Sequence, residues 1–280
     1  MKIIDGKAIS AQIKEECRLE AAALKEKGVE VTLAVVLVGD DPASAVYVRN
    51  KQKACEAVGI RSLSFTLPAD TTEEKLLSLL SELNERNDVN GILVQLPLPK
   101  QIDEGKVILS ISPAKDVDCF HPANVGAMFT GSGAGGFLPC TPAGIIELLK
   151  RSEIQIDGKE CVVLGRSNIV GKPAAQLLLK ENGTVTICHS HTRHLEAIAK
   201  RADILVAAIG RPGFITEAYV KEGAAVIDVG IHRMPDGKLC GDVDFARVSP
   251  ICGAITPVPG GVGPMTIAML MKNCLIAAKQ

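Results

Sequence analysis

Residues 162–173 read Val-Val-Leu-Gly-Arg-Ser-Asn-Ile-Val-Gly-Lys-Pro, and this stretch decides the fold class. Val162, Val163 and Leu164 have the unbroken apolar character of a buried strand. Gly165 ends it. Asn168 is placed to cap a helix, and Pro173 fits that helix's first turn, where the N–H has no intrahelical partner anyway. A strand that runs through a glycine turn into a helix aims unpaired N–H groups and a positive dipole end at one point. That arrangement suits a phosphate. Two familiar patterns come close. A Walker loop has four residues between its glycines and a Ser or Thr after the Lys. Here five residues separate Gly165 from Gly171, and Pro173 follows Lys172. The G-x-G-x-x-G fingerprint has Ser167 in place of its second glycine. On this stretch alone, a nucleotide-phosphate site and an ordinary strand-to-helix turn both stay open.

The residues downstream favour the nucleotide. A helix over Ala174–Lys180 is punctuated by Gly183, and Thr184–Cys188 reads as the next strand. In an NAD site the end of that strand carries an acid for the ribose 2′-hydroxyl. Here it carries His189-Ser190-His191-Thr192-Arg193. No carboxylate repels a 2′-phosphate, Ser190 and Thr192 can donate to one, and Arg166 and Arg193 supply charge. The reading is NADP over NAD. A plain polar loop is the bland alternative. A metal held by Cys188, His189, His191 and His194 is a third, weakened by the lack of a second ligand cluster.

The wider composition agrees with an α/β enzyme. The chain has 280 residues, 47% of them hydrophobic, and a mean hydropathy of +0.22. That is long enough for two domains of common size. The net charge of −1 argues against nucleic acid or an anionic membrane as a main partner. No apolar run approaches the roughly 18 residues of a spanning helix. Met1–Asp5 leads directly into a helix, which predicts no signal or transit segment. The nine cysteines are scattered without a Cys-x-x-Cys, as expected of reduced core thiols in a cytoplasmic protein.

The pattern predicts helices over Lys7–Lys27, Ser44–Val58, Thr71 to about Arg86, Glu104–Ile111 and Thr141–Arg151. Strands are expected at Val31–Val38, Arg61–Leu67 and Gly91–Gln95, and Gly131–Gly136 reads as a hinge-like tract. A second series has strands at Cys161–Leu164, Thr184–Cys188, Ile204–Ala207, Ala225–Val229 and Gly253–Ile255. The last helix is expected over Pro264–Lys279. Strand–helix alternation of this kind gives mostly parallel sheets flanked by helices.

Three places outside the glycine turn carry candidate chemistry. Tyr47 and Lys51 lie four apart on one helix, hence on one face. A ring that stacks beside an ammonium that acts would suit a flat polar ligand. A surface Lys beside a half-buried Tyr has the same spacing. Gln95 ends an apolar strand just before Pro97, where an amide can orient a neighbour or satisfy the strand's end. Asp116 and Asp118 are two apart in a loop, so one can enter a site while the other caps the loop, with His121 holding it. No set of oxygen ligands sufficient for a metal accompanies them.

Six motifs in order carry a resemblance. They are Ser44–Lys51, Val94-Gln95-Leu96-Pro97-Leu98-Pro99, Lys115-Asp116-Val117-Asp118, Pro139-Cys140-Thr141-Pro142, Gly165–Pro173 and Pro259–Thr266. Together with Ile4-Asp5-Gly6-Lys7 they make the whole chain resemble the bifunctional methylenetetrahydrofolate dehydrogenase/cyclohydrolase family, the FolD proteins. The resemblance implies two α/β domains with a folate cleft between them. Residues 1–140, joined by the C-terminal helix 264–280, would bind folate. Residues 141–263 would form a Rossmann-like NADP domain. It further implies that Lys51 is the key cyclohydrolase residue, that Tyr47 stacks on the substrate, that Gln95 tunes the Lys and that Asp118 holds the pterin. Val94 and Leu96 would line the same site. The turn that includes Pro259, Gly260, Gly261, Gly263 and Pro264 would close over the substrate. Thr141, Gly165, Arg166, Ser167, Ser190 and Ile231 would contact NADP, no metal would be needed, and the protein would be a homodimer. One departure stands out: Cys119 follows Asp118 where the family commonly has Gly, which alters backbone freedom there.

The implied chemistry has two steps. Hydride leaves the methylene carbon of 5,10-methylenetetrahydrofolate for the nicotinamide, a step that needs positioning more than acid or base. Water then adds to the methenyl carbon and the ring opens to 10-formyltetrahydrofolate, which needs proton transfers suited to Lys51. Two other readings compete. A shikimate-type NADP dehydrogenase would also pair a Lys- and Asp-bearing domain with an NADP domain. A catalytically silent NADP-binding regulator would bind without turnover.

Overall fold

Strands and helices alternate along the chain, in the computed structural model that describes residues 1–132 and 136–280. The expected Gly131–Gly136 hinge falls partly outside the described residues. In chain order the strands are β1 (Lys2–Ile3), β2 (Thr32–Val38), β3 (Arg61–Leu67), β4 (Gly91–Val94), β5 (Glu160–Leu164), β6 (Thr184–Cys188), β7 (Ile204–Ala207), β8 (Ala225–Asp228), β9 (His232–Arg233), β10 (Leu239–Cys240) and β11 (Ala254–Ile255). The helices are α1 (Gly6–Glu26), α2 (Pro42–Val58), α3 (Glu73–Glu85), α4 (Glu104–Ser110), α5 (Pro122–Thr130), α6 (Cys140–Arg151), α7 (Gly171–Lys180), α8 (Leu195–Ala199), α9 (Phe245–Val248) and α10 (Val262–Ala277).

The chain divides into two units. One contains residues 12–140 and 267–280, the other residues 1–11 and 141–266. The first eleven residues therefore do not group with 12–140, as the expected boundary at 140 had them. The reason is β1, which was read as a lead-in to the helix. It pairs in parallel with β11, Lys2 opposite Ala254 and Ile3 opposite Ile255.

The 12–140 unit is built on a three-stranded parallel sheet in the order β3-β2-β4. The central strand β2 is buried at every residue, and from Leu33 on its sequence is continuously apolar, as a strand covered on both faces requires. Leu76, Leu80 and Leu83 of α3 and Val107 of α4 pack with Ala34, Val36, Ile92 and Val94 of the sheet. Helix α2 starts two residues before the expected Ser44. Asp41 caps it by accepting from the Ser44 N–H at 2.7 Å, and Pro42 occupies its first turn. Gly59, at φ +83°, ends it in the left-handed region. Helix α5 was not expected. Pro122 at its start and Gly126 within it weaken its sequence signal.

The 141–266 unit holds a six-stranded parallel sheet in the order β1-β11-β8-β7-β5-β6. The chain leaves β5 to one side for β6 and then crosses to β7 on the other side. The carboxyl end of β5 is thus the point where strand order reverses, where open α/β sheets bind ligands. Leu164 lies opposite both Cys188 and Ala207, so Gly165, His189 and Ala208 leave the sheet side by side. The short β9–β10 hairpin is antiparallel and follows β8. It and the short helices α8 and α9 lack the length of apolar pattern that sequence periodicity can detect. Among the described residues no helix is long and apolar enough to cross a membrane.

Candidate active site and cofactor turn

In the 12–140 unit, α2 carries Tyr47 and Lys51 one turn apart. Tyr47 is 42% exposed, whereas Lys51 is only 9% exposed. The Lys51 ammonium donates to Gln95 Oε1 at 3.1 Å. Gln95 is held in turn: its Nε2 donates to the Leu96 carbonyl at 2.6 Å, and its backbone N–H donates to Val36 O at 2.8 Å. The amide carbonyl therefore has a fixed direction and meets the ammonium without adding a charge. Val94 and Leu96 flank it at the end of β4.

Asp116 and Asp118 have separate jobs. The Asp116 carboxylate accepts from the backbone N–H groups of Phe120 at 3.2 Å and His121 at 2.9 Å, and from Asn124 Nδ2 at 2.9 Å. It folds the loop. His121 helps by accepting the Ala123 N–H at its Nδ1, 3.1 Å away. Asp118 has no backbone donor among the described residues, and the Cys140 thiol lies 3.9 Å from its Oδ1. Burial pushes the Asp118 carboxyl above the usual carboxylate range; the Lys51 ammonium opposes that rise and the Asp116 charge adds to it. Lys51, Gln95 and Asp118 are thus brought together electrostatically.

Two residues that shape this loop escaped the sequence reading. Asn273 on α10 donates to Val117 O at 2.7 Å and to Leu138 O at 2.9 Å. Cys140 donates to Val117 O at 3.5 Å. Asn273 carried a signal, since an amide in the apolar stretch of α10 must find partners if it is buried. Cys119, which follows Asp118, lies in the left-handed region, at φ +59°, and is fully buried.

In the 141–266 unit, Gly165 has φ +127° and its N–H donates to Cys188 O at 2.9 Å. A β-carbon there would stand 2.1 Å from Ala208 O, and one at Gly171 would stand 2.2 Å from Gly165 O. Both glycines are required by close backbone approach. Asn168 does not cap α7. Val170 holds the N-cap position; the Ser167 hydroxyl accepts from Val170 N and Gly171 N at 3.2 Å each, while Asn168 Oδ1 accepts from Lys172 Nζ at 2.7 Å. No described residue accepts from the backbone N–H groups of Arg166, Ser167 or Asn168. The turn is a cradle of donors at a helix start, and it fits a dinucleotide phosphate.

Beside it, Thr192 orders the loop by accepting the His189 N–H on its Oγ1 at 2.9 Å, which leaves its hydroxyl proton to donate. Ser190 is exposed. Desolvation lowers the His189 pKa, and the Arg166 and His191 charges lower it further. The Arg166 charge therefore reaches the end of β6, where the charged form of His189 is disfavoured. Among the described residues no cluster of three or more His, Cys, Asp or Glu side chains is placed to hold a metal.

The Pro259–Pro264 turn lies in this unit. Gly260 has φ +108° and its carbonyl accepts the Lys7 N–H at 3.0 Å. The Pro264 carbonyl accepts from Ser10 Oγ at 3.0 Å. A β-carbon on Gly6 would overlap the Gly261 carbonyl, so Gly261 and Gly6 are packed backbone to backbone. Gly263 adjoins Ile231, which is 42% exposed. Thr141 Oγ1 and Thr266 Oγ1 are 2.8 Å apart. The expected site residues thus fall into two sets. Tyr47, Lys51, Val94, Gln95, Leu96 and Asp118 belong to the 12–140 unit. Thr141, Gly165, Arg166, Ser167, Ser190, Ile231 and the residues 259–264 belong to the other.

Comparison with known proteins adds to this geometry. A family model described as tetrahydrofolate dehydrogenase/cyclohydrolase, catalytic domain, matches residues 4–118. The NAD(P)-binding domain of the same family matches residues 139–280. The bifunctional protein FolD of Lachnoclostridium phytofermentans is 66% identical over 278 residues, 99% of this chain and 98% of that protein. The crystal structure of the FolD methylenetetrahydrofolate dehydrogenase/cyclohydrolase from Campylobacter jejuni superposes with a TM-score of 0.96 at 51% identity, covering 100% of this chain and 99% of that one. The Trypanosoma brucei methylenetetrahydrofolate dehydrogenase-cyclohydrolase, solved with NADP cofactor and inhibitor, gives a TM-score of 0.94 at 42% identity, covering 99% of this chain and 97% of that one.

Proposed function

Because this chain belongs to the tetrahydrofolate dehydrogenase/cyclohydrolase family, we propose that Lys51, held by Gln95 and faced by Asp118, is the centre of its cyclohydrolase chemistry. The enzyme is bifunctional. It oxidises 5,10-methylenetetrahydrofolate to the methenyl form with NADP and hydrolyses that product to 10-formyltetrahydrofolate. The shikimate-type and silent-regulator readings are set aside by this membership.

The observation that carries the residue assignment is the 3.1 Å contact between Lys51 Nζ and Gln95 Oε1. Lys51 moves protons as water adds to the methenyl carbon and the ring opens. Gln95 fixes the direction of the ammonium while leaving its charge intact. Asp118 holds the pterin, and exposed Tyr47 stacks on it. A bound NADP would supply the acceptor for the hydride of the methylene carbon. Gly165, Arg166, Ser167 and Ser190 bind its phosphates, and Thr141 and Ile231 flank the rest. The turn that includes Pro259, Gly260, Gly261, Gly263 and Pro264 contributes to folate binding. We further propose a cytoplasmic homodimer whose partners are folates rather than nucleic acid or membranes.

The test is a paired assay on Lys51→Met: NADP reduction with methylenetetrahydrofolate, and decay of methenyltetrahydrofolate without NADP. The expected result is loss of cyclohydrolase turnover. Retained turnover removes Lys51 from the mechanism.

A further inference from the structure

Two buried acids outside the folate site organise the loops that follow β7 and β8. Asp242 is fully buried at its side chain. Its Oδ2 accepts from Ile209 N at 2.6 Å and Gly210 N at 3.0 Å. Its Oδ1 accepts from Arg211 N at 2.9 Å and stands 2.8 Å from His232 Nε2, which donates to it. Asp228, at the end of β8, accepts from Gly230 N and Asp242 N on Oδ1 and from Val243 N on Oδ2, all within 3.0 Å. Glycines seal the pair. A β-carbon on Gly230 would stand 2.5 Å from the Asp242 carboxylate, and one on Gly241 would stand 1.9 Å from that of Asp228.

This network ends on the residues assigned to the cofactor. Ile231 lies between Gly230, whose N–H Asp228 holds, and His232, whose ring Asp242 holds. Its two chain neighbours are therefore held, which fixes the backbone that presents its exposed side chain. Asp242 also fixes the Ile209 amide. The residue before it, Ala208, presents the carbonyl against which Gly165 packs. So one buried carboxylate braces both the hydrophobic residue at Ile231 and the phosphate turn at Gly165. Both loops leave the carboxyl ends of adjacent parallel strands, β7 and β8, next to β5.

We propose that Asp242, with Asp228 and His232, forms a positioning network for the dinucleotide that supports the dehydrogenase reaction. These residues touch neither cofactor nor substrate. They act by holding Ile231 and the Ile209–Arg211 loop in the geometry that NADP meets, and the proposal rests on the reading that Ile231 contacts the cofactor. A carboxylate with four donors defines a loop more sharply than apolar packing does, because each N–H points at one oxygen.

The experiment compares Ile231→Ala, Asp242→Asn, His232→Ala and His232→Gln in the full-length enzyme. It measures the KM for NADP and kcat of the dehydrogenase, cyclohydrolase turnover without NADP, and cooperative thermal unfolding. In Asp242→Asn the KM for NADP should rise tenfold or more, with cyclohydrolase turnover changed less than twofold. His232→Ala should raise that KM about threefold, and His232→Gln, which restores a donor, should return it towards wild type. If both activities of Asp242→Asn fall together, or if Gln rescues nothing, the network is merely structural and the proposal fails. Should Asp242→Asn not fold, the two His232 variants decide the matter alone. An unchanged KM in Ile231→Ala overturns the cofactor reading itself. A raised KM there with no effect at Asp242 and His232 overturns only the network.

Discussion

Each unit carries a pair of neighbouring acids, and the two pairs are satisfied differently. In the 141–266 unit both are fully engaged: Asp228 takes three backbone donors, and Asp242 takes three plus an imidazole. In the 12–140 unit Asp116 is engaged in the same way, by two backbone amides and Asn124. Asp118 is left with a thiol at 3.9 Å and an ammonium across from it. Backbone donors use up a carboxylate's accepting capacity and turn it into a brace. The acid that the backbone leaves unsatisfied is the one available to a ligand.

Removing Asp116 should have the largest effect. Asp116→Ala orphans three donors in a buried loop and should cost about 3–5 kcal/mol in urea unfolding. Asp118→Asn should leave stability within about 1 kcal/mol of wild type while weakening folate binding more than tenfold, or about 1.4 kcal/mol. If Asp118→Asn unfolds the protein as readily as Asp116→Ala, the division between brace and ligand is wrong.

Asp228 sharpens the other side of the comparison. Burial is the largest influence on it and raises its carboxyl from 3.8 to about 6, against three amides that pull it down; the Asp242 charge adds to the rise. The folded state therefore holds this proton more tightly than the unfolded chain. The stability it contributes is fully present below about pH 4 and is lost as pH rises through about 6, on the order of 3 kcal/mol. Relative to Asp228→Asn, which cannot titrate, the wild type should lose stability between pH 4.5 and 7.5 in urea titrations. A flat difference across that range would show that the three amides outweigh burial.

The sequence made the strands and the turn at Gly165 legible because each rests on short-range physics: unbroken apolar runs, and a glycine where a strand meets a helix. It offered Lys51, Gln95 and the pair Asp116 and Asp118 as candidates, and only the family resemblance chose Asp118 over Asp116 and gave each a role. It did not show that Val170 is the N-cap of α7 and that Ser167, not Asn168, accepts the first N–H groups there, because only the path of the turn decides. Strand β1 was missed because a two-residue strand has no period, and its pairing with β11 spans nearly the whole chain. The Asp242 network was missed for a related reason. Its donors are backbone amides some thirty residues away, and backbone amides look alike in every sequence.

Cys119 tests the loop that carries the two acids, at the residue just after Asp118. Its N–H donates to Asp116 O at 3.1 Å, so its left-handed backbone closes the turn that spans both acids just after Asp118. For a residue with a β-carbon that conformation costs about 1–2 kcal/mol. Cys119→Gly removes the strain. It also loosens the unfolded chain by about 0.4–1 kcal/mol and gives up a buried thiol. The opposing effects should leave its unfolding free energy within about 1 kcal/mol of wild type. Cys119→Val enlarges a fully buried side chain and adds a β-branch where φ is positive, so it should destabilise by about 2 kcal/mol or more. Equal stability of the Gly and Val variants would mean that packing against Phe137, whose carbonyl accepts from the Cys119 thiol at 3.5 Å, governs this position rather than backbone strain. A Gly variant that also binds folate differently, with stability unchanged, would show that the side chain at 119 sets the aim of Asp118.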